Sequence, residues 1–212
     1  MSIIYGLVLI IFVSVGLSLL MSSKDHYVAG FFKMFASTGF ILLCVQAGGI
    51  NSAYGLVILA GLILSWWGDL FLISKSAPIF MIGLVAFLLA HVAYCIAFVL
   101  HGIALSPALY ALGVMLLIGA PVVYWLYPYL GKMRVPVLSY MSVITLMVVL
   151  AAATAFVTSH YVILAGAFLF YGSDIFVARD RFVGEHRSNA LVGLPMYYLG
   201  QILLAFSTIY GS

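Results

Sequence analysis

Eight long apolar stretches follow one another along the chain with only short connections between them, and this pattern limits what the chain can become. Crossing a hydrocarbon core ~30 Å thick takes about 20 predominantly apolar residues in helical form. The stretches place spans at 3–21, 28–46, 54–73, 79–100, 107–127, 137–157, 161–178 and 190–210. With 67% hydrophobic and 6% charged residues in 212, a water-soluble fold is excluded, since about a quarter of a soluble domain is charged. The runs are continuous rather than alternating, which argues against β-barrel strands, whose lipid-facing side chains recur with a period of two. The expected fold is all-α, a polytopic bundle of about eight transmembrane helices. It forms a single integral membrane domain over residues 1–212, with no room for an extramembrane domain. The first span lacks a basic leader and a small-residue cleavage site, so it reads as a retained helix.

The few charges set an expected orientation. Lys24, Lys33, Lys75, Lys132, Arg134, Arg179, Arg181 and Arg187 fall in, or just inside, alternate connections on one side, which the excess of basic residues marks as cytoplasmic. The opposite connections, at Gly48-Gly49-Ile50-Asn51, Gly102-Ile103-Ala104 and Thr158-Ser159-His160, carry no Lys or Arg. Both termini are thus expected on the non-cytoplasmic side, in a membrane such as the bacterial inner membrane. The net charge of +3 is dispersed, with no dense basic run to serve nucleic acid. Cys44 and Cys95 fall inside spans and predict neither a disulfide nor a metal site.

Two segments resemble each other at a constant offset. Ala60 to Ile73 (AGLILSWWGDLFLI) aligns with Ala165 to Ala178 (AGAFLFYGSDIFVA), setting Asp69 against Asp174 and span three against span seven. Four helices per half is an even number, so the halves would be parallel repeats about an axis along the membrane normal, bringing the aspartates toward each other. Chance similarity between two apolar helices is the competing explanation.

Ionisable groups inside a bilayer cost at least ~2.5–3.5 kcal/mol each at a helix centre and normally face a bundle interior or a cavity. Here they are Asp69, Asp174, Lys33 and His91. At 1.5 Å rise per residue, both aspartates fall about one turn inside the cytoplasmic ends of their spans, and Lys33 at a similar depth in its own. The functional reading is an acid-base pair tuned by a counter-charge. The plainer readings are a salt-bridge network that glues helices, and a lysine that snorkels to the headgroups. Ser65 lies one turn before Asp69, His91 and Tyr94 are three apart, and Tyr197 and Gln201 four apart, spacings that place each set on one helical face. Such Tyr, Gln and His residues also serve as interhelical glue. His26, His101, His160 and His186 are divided between the two sides, which assembles no three-ligand zinc site, and no metal or cofactor is expected. Trp66, Trp67, Arg179 and Arg181 read as interfacial anchors, with a headgroup-phosphate role open to the arginines.

In order and spacing, these landmarks resemble the lysoplasmalogenase or YhhN-like family of polytopic membrane hydrolases, almost end to end. They are Lys33 in span two, Ser65 and Gly68-Asp69 in span three, and Phe87-Leu88-Leu89-Ala90-His91-Val92-Ala93-Tyr94 in span four. Gly166-Ala167 through Ser173-Asp174 follow in span seven, and Pro195-Met196-Tyr197-Tyr198 with Gln201 in span eight. Met34 stands where proline is expected after the lysine, and Ala90 where many relatives have glycine; neither touches a candidate catalytic group.

The resemblance implies hydrolysis of the sn-1 vinyl ether bond of a lysoplasmalogen, giving a fatty aldehyde and glycerophosphoethanolamine or glycerophosphocholine. The substrate would be a lysophospholipid taken from the membrane, and no cofactor would be required. A vinyl ether is cleaved by protonating its β-carbon and capturing the oxocarbenium ion with water, work suited to two carboxyl groups. Asp69 and Asp174 are the expected catalytic pair, with Lys33, Ser65, His91, Tyr94, Ser173, Tyr197 and Gln201 in support. Three other readings stay open. One is a proton-coupled transporter or flippase, which also suits paired intramembrane acids. Another is an assembly protein whose polar groups only specify packing. The last is hydrolysis of a different lysolipid or of a ceramide-like amide, which would more naturally use a metal-activated water.

Overall fold

Helix boundaries answer to capping chemistry that a hydropathy pattern does not register. In the computed structural model, which describes residues 2–74 and 76–211, the helices are α1 (Ser2–Met21), α2 (His26–Gln46), α3 (Ala53–Phe71), α4 (Ala77–His101), α5 (Leu105–Leu126), α6 (Arg134–Thr158), α7 (Val162–Ala178) and α8 (Arg187–Phe206). All eight spans read from the apolar pattern are present, each of them long and apolar enough to cross a membrane. Several begin two or three residues early. The Asp25 carboxylate accepts from the amides of Tyr27 and Val28, satisfying orphan donors at the start of α2. Ser52 does the same for α3 through the Gly55 amide, and Pro136 sits in the first turn of α6, where its fixed φ is tolerated. Gly102 ends α4 at φ 104°, a conformation that side chains resist. Lys75, one of the basic connection residues, lies outside the described residues.

Each hairpin partner packs closely on the other: α1 on α2, α3 on α4, α5 on α6 and α7 on α8. Within the halves α2 also meets α3, and α6 meets α7. Across the halves α4 packs on α6 and α8 on α2. Exchanging every helix for the one four places on turns each of these contacts into another, the pattern of two parallel repeats. The symmetry is broken at the periphery: α1 packs on α8, whereas its counterpart α5 has no comparable contact with α4 and buries only Met115, Gly119 and Leu126.

Close approaches set the helices that carry the polar residues. Gly61 and Gly68, on the same face of α3 as Ser65 and Asp69, let the rings of Tyr94 and Phe87 lie directly on the α3 backbone, where an added methyl would overlap them. In the second half Gly166 and Gly200 bring α7 and α8 together so closely that a Cβ on Gly166 would fall 3.0 Å from the Gly200 carbonyl oxygen. Pro195 interrupts the hydrogen-bond ladder of α8 just before Tyr197 and Tyr198. Cys44 and Cys95 are buried and unpaired.

Candidate active site

An aspartate buried close to the end of a packed helix needs donors or a cation, and Asp69 has both. It is 1% exposed. Its Oδ1 lies 3.1 Å from the Lys33 ammonium on α2. Its Oδ2 accepts from the Ser37 hydroxyl at 2.6 Å and from the Tyr197 phenol at 2.7 Å. Lys33 and Ser37 are four residues apart, so one face of α2 supplies both. Tyr198 fastens that face to α8, donating to the Lys33 carbonyl at 2.8 Å with its oxygen 2.8 Å from Ser37 Oγ. Behind Tyr197 a chain of donors runs inward. Tyr94 on α4 donates to Gln201 Oε1 at 2.8 Å, and Gln201 Nε2 donates to the Tyr197 oxygen at 3.2 Å. Every proton in this chain points toward the Asp69 carboxylate, and each bond polarises the next.

Asp174 is held differently. Its side chain keeps 18% of its exposure, its Oδ2 accepts from the Tyr140 phenol at 2.6 Å, and His91 Nε2 lies 3.9 Å from the same oxygen. The His91 ring is fully buried and packs edge-on against Tyr140, with centroids 5.1 Å apart. Phe170 separates the two clusters, its ring 4.6 Å from that of His91 and 5.2 Å from that of Tyr197.

Both carboxylates line one cavity of about 660 Å³. Lys33, Tyr140, Ser173 and Tyr197 share its polar wall, and Leu84, Phe87, Val122, Trp125 and Ile144 form an apolar side. Its mouth is built by Ile73 and Ser74 after α3, by the Arg179–Val183 turn that prolongs α7, and by Gly184, Glu185 and Asn189 leading into α8. This is the end of the bundle that carries Lys24, Lys132, Arg134, Arg179 and Arg187. A volume of this size lies within the range of small-molecule sites.

Of the residues singled out from sequence, Lys33, Asp69, Tyr197, Gln201 and Tyr94 form one connected network, while Asp174 and His91 lie side by side in a second group, 3.9 Å apart and without a hydrogen bond between them. Tyr94 bonds Gln201 across the helices rather than pairing with His91 three residues away, because the two side chains turn to different neighbours on α8 and α6. Ser65 is fully buried on the Asp69 face. Ser173 lines the cavity, but its hydroxyl donates back to the Phe170 carbonyl at 2.7 Å. Trp66 donates to Thr38 Oγ1 at 3.1 Å, and the Arg181 guanidinium lies 4.3 Å from the centroid of the Phe80 ring.

Ser37 and Tyr140 were missed, and Tyr198 was named only as a family landmark and not as a site residue. Ser37, one turn from Lys33, and Tyr198, beside Tyr197, were legible by spacing; Tyr140, alone near a helix start, looks like any interfacial aromatic. No three His, Cys, Asp or Glu side chains among the described residues are close enough to hold a metal ion.

A bovine (Bos taurus) protein named Lysoplasmalogenase TMEM86A is 29% identical over 159 residues, or 72% of this chain. The chain covers 65% of that relative, less than two thirds of its length. No solved structure matches. The YhhN family matches residues 28–208, a range that includes every polar residue of both networks and leaves out α1. Since that match takes in most of the 212 residues, the chain belongs to the YhhN family.

Proposed function

We propose that the chain is a membrane-embedded hydrolase of lysoplasmalogens, cleaving the sn-1 vinyl ether bond to a fatty aldehyde and a glycerophosphodiester. The observation that carries this reading is one cavity flanked by two unlike carboxyl groups, Asp69 ion-paired to Lys33 and Asp174 hydrogen-bonded to Tyr140. The name of the bovine relative, lysoplasmalogenase, supports the choice of substrate.

In this reading Asp174 is the general acid. It is the more exposed of the two to the cavity, and its nearest polar groups are a phenol and an imidazole rather than a fixed cation. It delivers its proton to the β-carbon of the vinyl ether, and the electron pair of the double bond forms the new C–H bond. An oxocarbenium ion results. Asp69, paired with Lys33 and accepting from Ser37 and Tyr197, stabilises that cation electrostatically without being consumed. Asp174, now ionised, takes a proton from the water that adds to the cationic carbon, which restores the acid. The hemiacetal loses its hydroxyl proton and the ether oxygen gains one as the C–O bond breaks. One water is consumed per aldehyde released. His91, beside Asp174, is placed to orient that water. In this reading the cavity opens toward the cytoplasm, an orientation supported by the basic residues at that end of the bundle.

The test is to incubate purified protein in detergent, with no added metal and no ion gradient, with a lysoplasmalogen or its saturated ether analogue. Aldehyde released from the vinyl ether alone is the expected result. Folded protein that releases none overturns the hydrolase reading and makes the aspartates a coupling site for transport.

A further inference from the structure

The outer end of the cavity contains a polar arrangement that bond cleavage does not use. Asn189, 3% exposed in the first turn of α8, donates from Nδ2 to Asp180 Oδ1 at 2.8 Å and to the Gly184 carbonyl at 3.1 Å. Both partners only accept, so the carboxamide has one orientation; reversed, its oxygen would face two oxygens. Asn189 Oδ1 is consequently a buried acceptor with no hydrogen bond among the described residues, on a side chain that lines the cavity. Asp180 is anchored from a second direction by the His186 amide, 3.3 Å from Oδ1, and lines the same mouth. A buried acceptor without a donor is costly, and one tied to a carboxylate calls for a donor that is also a cation.

Depth narrows the chemistry further. Asp180 follows Asp174 by six residues, about 9 Å along a helix at 1.5 Å per residue. In a lysophosphoethanolamine, nine bonds separate the sn-1 ether oxygen from the amine nitrogen, about 11 Å when extended at the pitch of an extended chain. A lipid with its ether bond at the aspartates therefore carries its amine to the level of Asn189. Arg181 lines the mouth as well, setting positive charge near the path of the phosphodiester. A trimethylammonium head has no N–H to offer Asn189 Oδ1 and would press methyl groups against it.

We propose that Asn189 and Asp180 form an ammonium subsite at the cavity mouth, one that takes the primary amine of an ethanolamine headgroup in preference to the trimethylammonium of choline. This rests on the cavity being a lysolipid site, and the experiment is chosen to fail separately from the cleavage chemistry. Binding of saturated 1-alkyl lysophosphoethanolamine and lysophosphocholine, neither of which contains the scissile bond, is measured on the detergent-purified protein. Wild type is expected to bind the ethanolamine lipid about tenfold more tightly. The ratio should fall to near one in Asn189→Ala. It should also fall in Asp180→Asn, which keeps an oxygen for the Asn189 donor and so guards against simple loss of the turn. Soluble glycerophosphoethanolamine should compete more strongly than free ethanolamine, marking the headgroup rather than any amine as the ligand. Equal affinity of wild type for the two lipids overturns the proposal, as does an unchanged ratio in both variants. Headgroup selectivity with no aldehyde release would leave the subsite standing and remove the hydrolase.

Discussion

Asp69 and Asp174 occupy aligned positions in the two halves of the bundle, yet their surroundings differ in kind. In each half the preceding helix supplies a partner: α2 gives Asp69 a lysine and a serine, and α6 gives Asp174 a tyrosine. The first carboxylate is 1% exposed with both oxygens engaged, while the second keeps 18% of its side-chain exposure beside a histidine. A fixed ammonium holds a charge in place; a phenol and an imidazole leave room for a proton to come and go. In the proposed mechanism the two aligned aspartates therefore take different parts, Asp174 giving the proton and Asp69 lying beside the developing cation.

Several substitutions break or sharpen this contrast. The largest effect is expected from Asp174→Asn and Asp69→Asn, each lowering kcat by a thousandfold or more (~4 kcal/mol) in protein that remains folded and membrane-inserted. Substantial turnover in both variants would end the acid-base assignment. For Lys33→Met the expected readout is stability. Asp69 loses its cation, at a cost of about 3 kcal/mol, the low end of the range for a broken buried pair because Lys33 is 17% exposed. Thermal unfolding should show the loss, and adding Asp69→Asn should recover most of it; a recovery that fails would place the lysine's role elsewhere.

Tyr140→Phe leaves the ring and removes the hydroxyl bonded to Asp174. A fall in kcat of about 10–100-fold with little change in KM is expected if the phenol positions the acid. An equal effect on binding of the saturated ether lipid would instead make Tyr140 part of the lipid site. Smallest is Tyr94→Phe, which opens the far end of the donor chain to Asp69. It should cost about 1 kcal/mol of stability and alter activity only a few-fold, since Tyr197 keeps its own bond to the carboxylate.

Much of the site could be read without coordinates, because burying a charge in lipid is so costly that each intramembrane ionisable group identifies itself. Lys33, Asp69, Asp174 and His91 stand out from apolar surroundings for that reason. Hydroxyl and amide groups give a weaker signal. Ser37 and Tyr198 had spacing in their favour, and Tyr140 had nothing local at all. Asn189 lies in a polar connection, where an amide usually faces water; only the folded turn buries it against Asp180.

Eight spans, their all-helical character and the clustering of basic residues at alternate connections belong to the sequence itself. Each follows from transfer free energies and hydrogen-bond satisfaction summed along a single helix, with no reference to neighbours. Which aspartate receives the lysine, that Tyr94 turns to Gln201 rather than toward His91, and that the Asn189 amide donates to Asp180 at the mouth were decided by tertiary packing. Those outcomes depend on how closely helices approach and rotate. Gly61, Gly68, Gly166 and Gly200 set that approach through contacts with residues far away in the chain.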